Sequence, residues 1–433
     1  NSGALLVNWV GHGAANLWAH ERVFNTARDL PSIENDRRLP VFVTATCTAG
    51  RFDLVNEEAM AEDFLRSDGK GAIGFVGATR LSFPSPNERL NRLLYDALLS
   101  QRLPLGSALM QAKIGTVNRE NSEKYTLFGD PAMLIGRPTK DIRFTSDSTD
   151  TLRVLQTAMV YGEVVELGIL DQGFNGTAFV RTSDSARQAV FVTPAGGQIT
   201  YQLPGADVFR GPVAIDMGLF SASFIVPRDI TYGGNQGRVS VYATDNQSDA
   251  AGAIDLLPLR GADPAFVDTS GPTIEVLVGG RAIADGDFAD SEPQLTANLF
   301  DASGINITGE VGHQITVQTD RDIQQRQDVT DLFTYETGSF QKGSLTYTVP
   351  NLDPGDPPVT IRAWDNFNNT SSVTLTLAVV DKVDLRVTDV MNYPNPFDHI
   401  TTFTFELTQD ADITIDVYTV AGSRVRSFRD ILG

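Results

Sequence analysis

The stretch Ala4–Val10 (ALLVNWV), followed at once by Gly11-His12-Gly13, decides the fold of the first part of the chain. Two further short apolar runs follow it, Val41–Thr46 (VFVTAT) and Gly71–Val76 (GAIGFV). Segments that are typical of helices lie between and after these runs: Glu57–Arg66, Asn87–Ser100 and Leu105–Val117. Short buried strands that alternate with helices predict a parallel α/β sheet over residues 1–140.

Beyond residue 140 the helical spacing disappears, and short alternating runs separated by turn residues take its place. This alternating pattern is typical of antiparallel sheets. We expect immunoglobulin-like β-sandwich modules at 141–267 and 268–384, and a third β module at 385–433 that is too short for a full sandwich. The predicted fold class is therefore an α/β domain followed by all-β modules.

Charge and composition exclude several function classes. The 433 residues carry a net charge of −20, and residues 1–140 hold 16 basic and 15 acidic side chains against 18 and 39 in the remainder. Nucleic acid is a poor partner for such a surface, because phosphate attraction needs clustered basic groups. No apolar run approaches the roughly 18 residues of a membrane-spanning helix. The single cysteine, Cys47, excludes an internal disulfide.

His12 and Cys47 carry the sharpest chemical signal. Each follows an apolar strand, and residues at the carboxyl ends of parallel strands gather at one edge of the sheet. A thiol needs a base to become a thiolate at neutral pH, and an imidazole suits that task. Gly11 and Gly13 let the backbone approach a substrate closely. The amides of Gly13 and Cys47 are then the expected oxyanion hole.

A plainer interpretation exists for both residues. A cysteine in an apolar run often serves as a small buried hydrophobic residue, and a Gly-His-Gly turn is a common tripeptide. The residues alone leave a Cys–His dyad and a structural cysteine as open alternatives.

The strings NWVGHGAANLWAHERVF (8–24) and FVTATCTAGRFD (42–53) resemble the catalytic signatures of the gingipain family of cysteine peptidases, which have a caspase-like α/β fold. Within that family the resemblance is greatest to the sortases of the type IX secretion system. It extends to further strings in the same order: GATR (77–80), LFGDP (127–131), DASGINITG (301–309), VGHQI (311–315), NYPNPF (392–397) and TTFTFEL (401–407). The YPNPF segment also resembles the start of FlgD-like modules.

The resemblance implies a reaction and a setting. Cys47 would attack the scissile carbonyl and form a thioester, and His12 would take the thiol proton and return it to the leaving amine. The implied substrates are exported proteins that carry type IX C-terminal domains, and the implied acceptor is anionic lipopolysaccharide. Other outer-membrane proteins of the secretion system are implied as partners at the outer face of the outer membrane. Neither cofactor nor metal is implied.

The remaining residues of the catalytic region carry weaker expectations. Trp18, Glu21 and Asp53 are possible substrate-binding residues, although Trp18 is at least as well explained as a core aromatic. Glu21, Asp53 and Glu62 are candidates for an acid that orients the imidazole. The family places such an acid before the histidine. Since the chain enters a strand almost at once after Asn1, we expect a fragment or a processed form that lacks this acid and has little activity alone. For Arg51 and Arg80 structural pairing is the favoured role.

Loop acids and a histidine of the β region carry weaker expectations. Asp285-Gly286-Asp287 and Asp365–Asn369 are loop acids that suit either calcium or turn chemistry. His313 is expected to be structural. For function as a whole, two rivals to the sortase stay open: a secreted gingipain-like endopeptidase and a non-catalytic surface module.

Overall fold

The computed structural model describes residues 4–116, 119–192, 197–261, 264, 267–283, 286–319, 326–350, 352, 358–379, 387–407 and 411–432. The chain separates into two compact units, Asn1–Arg137 and Pro138–Gly433. The predicted boundary between the second and third β modules, at residue 384, lies outside the described residues. The predicted internal division of the β region at 267 and 384 stays a prediction.

The first unit alternates strands and helices. Its strands are β1 Leu6–Val10, β2 Leu17–Trp18, β3 Phe24–Asn25, β4 Val41–Ala45, β5 Gly74–Ala78 and β6 Tyr125–Phe128. Its helices are α1 Thr26–Asp29, α2 Met60–Arg66, α3 Pro84–Tyr95, α4 Leu105–Gly115 and α5 Arg119–Lys124. A 3₁₀ turn at Leu30–Ser32 and a π-helical turn at Asp96–Ser100 extend α1 and α3.

The main sheet of this unit has the order β1-β4-β5-β6. Strands β1, β4 and β5 run parallel, so their carboxyl ends meet at one edge of the sheet. The three predicted strands are therefore parallel as expected, and β6, which the prediction did not include, adds an antiparallel strand next to β5. The four-residue run of β6 follows α5 directly and is too short to be recognised as a strand by its apolar pattern.

Apolar side chains cover both faces of this sheet. Residues alternate in direction along a strand, so Val41 and Val43 face one side while Phe42 faces the other. On the first side they pack with Leu90, Leu94 and other residues of α3 and α4, and on the second side Phe42 packs with Phe64 of α2 and its neighbours. Every residue of β4 and β5 is buried, as expected for central strands covered on both faces.

The predicted element positions in this unit are close to those observed, with shifts at several ends; helix α2, for example, begins at Met60 and not at the predicted Glu57. The third strand begins at Gly74 and continues to Ala78, whereas the prediction placed it at 71–76. Helix α3 begins at Pro84, before the predicted start at Asn87, because proline suits the first helical position. The predicted end of α4 at Val117 lies outside the described residues.

The second unit is all-β. One sheet has the strand order Ile169–Leu170, Thr157–Glu166, Lys140–Phe144, Asp249–Leu257, Gly237–Thr244, Gly176–Ser183 and Asp207–Ile215, with Leu219–Ile225 paired to Thr157–Glu166. A second has the order Arg281–Ala282, Thr273–Val278, Gln294–Phe300, Lys342–Thr348 and Thr334–Tyr335. A third has the order Arg326–Asp328, Thr316–Gln318, Pro358–Trp364 and Thr370–Thr376.

Short pairs complete this unit. They are Leu152–Arg153 with Leu259–Arg260, Arg187–Val192 with Gln198–Leu203, Phe288–Ala289 with Ala378–Val379, Val387–Tyr393 with Thr402–Leu407, and Asp412–Tyr418 with Arg424–Leu432. A 3₁₀ turn lies at Thr330–Leu332. The strands show the alternation of buried and exposed residues that antiparallel sheets require, for instance in Gly237–Thr244. An α/β unit followed by an all-β unit confirms the predicted fold class.

Candidate active site

His12 lies just beyond the carboxyl end of β1, and its backbone is held from two sides. The Trp9 indole Nε1 and the Ala19 amide both donate to the His12 carbonyl oxygen, at 3.1 Å and 2.9 Å. Trp9 itself stacks on Trp18, with ring centroids 5.0 Å apart. The side chain of His12 is exposed. These contacts fix the main chain at His12 while the imidazole stays accessible.

Strand register brings Cys47 to the same place. Val10 of β1 pairs with Ala45 of β4, so His12 and Cys47 each lie two residues past the last register pair. Neighbouring strands are about 4.8 Å apart, which sets the scale of their separation. Gly13 and Thr46, the residues next to His12 and Cys47, also lie close together. A Cβ atom added to Gly13 would be only 2.5 Å from Thr46 Oγ1. The register therefore places His12 and Cys47 at neighbouring positions on one edge of the sheet.

The Gly13 amide suits an oxyanion-binding role. The β-bridge between Gly13 and Trp18 is made by hydrogen bonds from Ala19 to the His12 carbonyl and from Ala14 to the Leu17 carbonyl. The Gly13 N–H takes no part in these two bonds. A donor of this kind at the edge of the sheet, one residue from His12, is what a developing oxyanion requires.

The thiol of Cys47 is half-buried and contacts a residue that the sequence interpretation missed. The Ser82 amide donates to Cys47 Sγ at 3.4 Å, and Sγ lies 3.5 Å from the Ser82 carbonyl oxygen. Ser82 follows β5, the third parallel strand, and so belongs to the same edge. A search for polar residues after that strand would have found it if the strand had been predicted to extend to Ala78.

Tyr125 lies buried close to this group. Burial raises the pKa of its hydroxyl, the nearby Ser82 side chain opposes that rise, and the charge of Cys47 adds to it. Although the hydroxyl faces Ser82, it makes no hydrogen bond of ordinary geometry within the described part of the chain. Tyr125 is therefore a neutral phenol at physiological pH and places no negative charge beside the thiol.

The loop after Cys47 is tied down by backbone and charged contacts. Thr48 adopts a left-handed conformation at φ 52°, which is uncommon for a β-branched residue. The Gly50 amide then donates to the Ala78 carbonyl at 3.0 Å. Arg80 clamps Asp53 through two hydrogen bonds of 3.1 Å and 2.6 Å, and this contact holds the pKa of Asp53 below its usual range.

That clamp bears on two expectations. Arg80 forms the structural pair that the sequence favoured, and Arg51 lies 3.7 Å from the same carboxylate. Because Asp53 is engaged by two guanidinium groups, the geometry favours a structural role for it over substrate binding.

Trp18 belongs to the core. Its side chain is buried among Trp9, Phe24 and Phe42. This burial favours the core alternative over a position that lines a substrate cleft. The buried aromatic cluster instead supports the hairpin of β2 and β3, and through Trp9 it supports His12.

The acids considered for orienting His12 lie in different settings. Glu21 is exposed, in a turn between Ala19 and Arg22 that both have positive φ. Glu62 accepts a hydrogen bond from the Ala59 amide at the start of α2. Within the described residues no carboxylate hydrogen-bonds to the His12 ring. The neighbour that the sequence did not predict is His20, whose ring centroid lies 6.0 Å from that of His12.

His313 has the structural role that was expected of it. Its Nδ1 lies 2.5 Å from Asp229 Oδ2, and its ring packs on Trp364. Asn306 and Asn368 also donate to the Asp229 carboxylate. This cluster joins segments far apart in the sequence within the second unit.

Three carboxylates of the second unit lie together. Oxygens of Asp268, Asp301 and Asp365 fall within 4.8 Å of one another. Burial raises the pKa of Asp365, and it raises the pKa of Asp301 to about 6, with repulsion from the neighbouring acids adding to both shifts. Asp365 accepts from the Phe367 and Asn369 amides, which is turn chemistry. An acidic cluster alone does not identify a metal site. Asp285, the other loop acid considered, lies outside the described residues.

Asp301 makes the stability of the second unit depend on pH. The pKa of Asp301 is raised in the folded state, so as pH rises this carboxyl ionises in the unfolded chain before it ionises in the folded one. The free energy of unfolding therefore falls as pH rises from about 4 through 6. Asp301→Asn keeps the acceptor for Ser303 and is expected to raise the free energy of unfolding at pH 7 by about 1–2 kcal/mol. Urea unfolding at pH 4 and pH 7 with EDTA present measures this.

The less buried Asp268→Asn is the matched control for that variant and should change the pH dependence less. An unchanged slope between pH 4 and pH 6 in Asp301→Asn would contradict the assignment.

The chain is similar in sequence to known proteins. Residues 1–136 match the model of peptidase family C25. Gingipain R2 of Porphyromonas gingivalis is 26% identical over 199 residues, which cover 42% of this chain and 27% of that protein. Gingipain R1 of the same species is 29% identical over 157 residues, covering 32% of this chain and 16% of that protein. The chain thus spans less than a third of the length of these relatives.

Solved structures were found as well. The crystal structure of dimeric latent PorU from Porphyromonas gingivalis is 25% identical, covers 83% of this chain and 36% of that one, and has a TM-score of 0.38. The Arg-specific cysteine proteinase gingipain R is 19% identical, covers 60% of this chain and 54% of that one, and has a TM-score of 0.30. Among the described helices none is both long and apolar enough to cross a membrane.

Proposed function

Since residues 1–136 match peptidase family C25 and the chain is 26% identical to gingipain R2 over 199 residues, we propose that this protein is a cysteine peptidase with Cys47 as nucleophile and His12 as base. One observation carries the proposal: the parallel register of β1 and β4 places His12 and Cys47 at equal distances past their strands. Such a pair is what thiolate chemistry at neutral pH needs. The strand ends thus supply nucleophile and base from two elements that are rigidly paired.

The proposed reaction has two halves. The Cys47 thiolate attacks the scissile carbonyl while His12 holds the thiol proton, and the amides of Gly13 and Cys47 bind the oxyanion of the tetrahedral intermediate. Collapse breaks the C–N bond, His12 passes its proton to the leaving amine, and a thioester remains on Cys47. The thioester is then attacked by water, which gives hydrolysis, or by an amine, which gives transpeptidation.

The finer proposal is a sortase of the PorU type. It rests on the sequence strings WAHER (18–22), TATC (44–47), GATR (77–80) and LFGDP (127–131), together with the all-β region that follows the α/β unit. On this proposal the enzyme acts at the outer face of the outer membrane and removes C-terminal domains from exported proteins. It then joins the new carboxyl terminus to anionic lipopolysaccharide.

The experiment follows one exported cargo protein in cells that carry the whole protein, either wild type or Cys47→Ala. Intact mass at the cargo C-terminus is the readout. The proposal expects that the C-terminal domain is lost and glycolipid gained only with Cys47 present. Unchanged cargo processing together with loss of general peptide hydrolysis would instead identify a secreted endopeptidase. If neither cargo processing nor peptide hydrolysis changed, the protein would be a non-catalytic surface module.

Gly13 tests the oxyanion assignment. Gly13→Ala would place a methyl 2.5 Å from Thr46 Oγ1 and 3.2 Å from the Leu17 carbonyl oxygen, which forces the loop to shift. Displacing an oxyanion donor lowers kcat by about 10²–10³-fold, and we expect a loss of that order with a smaller change in KM. Steady-state peptide hydrolysis by the whole protein measures both constants.

Gly11→Ala is the control for this variant, because the three atoms nearest to its new methyl all belong to the Trp9 side chain, the first at 3.1 Å, and none belongs to the backbone. A Gly13→Ala enzyme with the kcat of wild type would refute the assignment of this amide.

A further inference from the structure

Ser82 surrounds the Cys47 sulfur with three polar groups. Its amide donates to Sγ at 3.4 Å, its carbonyl oxygen lies 3.5 Å from Sγ, and its hydroxyl oxygen lies 3.9 Å from Sγ. The neutral thiol can donate to the carbonyl, whereas a thiolate can only accept. Ionisation therefore changes which of the three groups interacts favourably with the sulfur.

The hydroxyl of Ser82 is constrained by two other groups. It accepts a hydrogen bond from Asn87 Nδ2 at 2.9 Å, and it lies 3.2 Å from the Thr46 carbonyl oxygen, to which it donates. A hydroxyl has one proton. Since Asn87 occupies a lone pair, that proton can be directed only toward an acceptor. The Thr46 carbonyl and Cys47 Sγ accept from this hydroxyl with hydrogen-bond geometry, whereas the neighbouring Tyr125 hydroxyl makes no such bond.

Asn121 fixes the orientation of Asn87. Asn121 Nδ2 donates to Asn87 Oδ1 at 2.8 Å, and the same amide exchanges hydrogen bonds with the backbone of Phe83 at 2.9 Å and 3.0 Å. Because Asn87 Oδ1 is an acceptor here, its NH₂ group is the side that faces Ser82. Both asparagines are buried, at 5% and 0% exposure, so this orientation is held away from water.

We infer that Ser82 is a positioning residue whose hydroxyl proton turns from the Thr46 carbonyl to the Cys47 sulfur when the thiol ionises, with Asn87 and Asn121 holding the hydroxyl in place. The inference rests on the proposed nucleophilic role of Cys47. Hydrogen bonds to a charged group are stronger than those to a neutral one, so the exchange favours the thiolate. Ser82 does not react; it acts through Cys47.

The test measures the alkylation rate of Cys47 by iodoacetamide against pH in the whole protein, with adduct formation followed by mass. The midpoint of this profile reports the ionisation of the thiol. Ser82→Ala removes the donor and is expected to raise the midpoint by about one pH unit, which is about tenfold in thiolate fraction below the midpoint. Ser82→Thr restores the hydroxyl and is expected to return the midpoint to that of wild type.

Asn87→Asp provides a second variant with a larger expected effect. The new carboxylate cannot donate to Ser82 Oγ and draws the hydroxyl proton toward itself, away from Sγ. Its charge also opposes ionisation of the thiol. The midpoint is expected to rise further than in Ser82→Ala.

Ser67→Ala is the matched control. It also loses a serine-to-carbonyl hydrogen bond, from Ser67 Oγ to the Asp63 carbonyl, but this bond lies at the end of α2 and does not involve Cys47 or Ser82. It should keep the midpoint of wild type. Ser82→Ala and Ser82→Thr profiles that both coincide with wild type would overturn the inference while leaving the nucleophile intact. A wild-type Cys47 that fails to react over the whole pH range would overturn the proposed function instead.

Discussion

Cys47→Ala is expected to lower peptide hydrolysis by at least about 10⁴-fold, because the only thiol in the chain is the proposed nucleophile. The fold should tolerate the change. The side chain is half-buried and contributes weak sulfur hydrogen bonds to Ser82, so a small apolar replacement costs little stability. Steady-state hydrolysis of a peptide substrate by the whole protein measures the loss, and thermal unfolding checks the fold.

The control for this variant is another alanine substitution at the same edge of the sheet, Thr48→Ala. It removes a neighbouring side chain of the same loop but leaves the thiol in place, and it should retain activity within about tenfold. Hydrolysis that persists in Cys47→Ala at more than a few per cent of the wild-type rate would show that the nucleophile lies elsewhere.

His12→Ala is expected to lower the rate at pH 7 by about 10³-fold and to recover part of it as pH rises. Without a base the thiol must ionise by itself, and an ordinary cysteine has a pKa of about 8.5. The pH–rate profile of the variant should therefore climb toward pH 9, where wild type has already reached its plateau. Measuring kcat/KM from pH 6 to pH 9.5 distinguishes a lost base from a lost fold.

His20 supplies the matched control for the base. Its ring lies 6.0 Å from that of His12 and is similarly exposed, so His20→Ala removes an imidazole from the same neighbourhood. We expect it to change the rate less than about tenfold, since it does not occupy the position in register with Cys47. If His20→Ala abolished activity and His12→Ala did not, the base would have to be reassigned to His20.

The edge of the sheet could be predicted from the sequence because each strand and the residue after it form one short continuous segment. Apolar runs ending in Gly11-His12-Gly13 and in Cys47 can be read without knowing the fold, and parallel pairing does the rest. The same reasoning missed Ser82, because the third strand was predicted to end at residue 76 and its polar residues were not aligned with the edge. Strand ends are hard to fix from sequence when Gly and Ala occupy them, as at Gly77-Ala78.

Other features depend on contacts between residues far apart in sequence. The antiparallel direction of β6 follows from how the chain returns after three helices, and no residue in Tyr125–Phe128 encodes it. Burial of Trp18 depends on stacking against Trp9 and on packing against Phe42. The approach of Asp268, Asp301 and Asp365 joins loops of the second unit separated by up to 97 positions. Such juxtapositions are tertiary and cannot be read from spacing.

The central claim is that Cys47 carries the acyl group during the reaction. The most direct measurement incubates the whole protein with a cargo-derived substrate, quenches with acid and locates the adduct by mass after digestion. The account predicts that the acyl portion of the substrate is attached to Cys47, that hydroxylamine releases it, and that Cys47→Ala never acquires it. Substrate cleavage by wild type at full rate, with no adduct on Cys47 under single-turnover conditions and no trapping by hydroxylamine, would contradict the account.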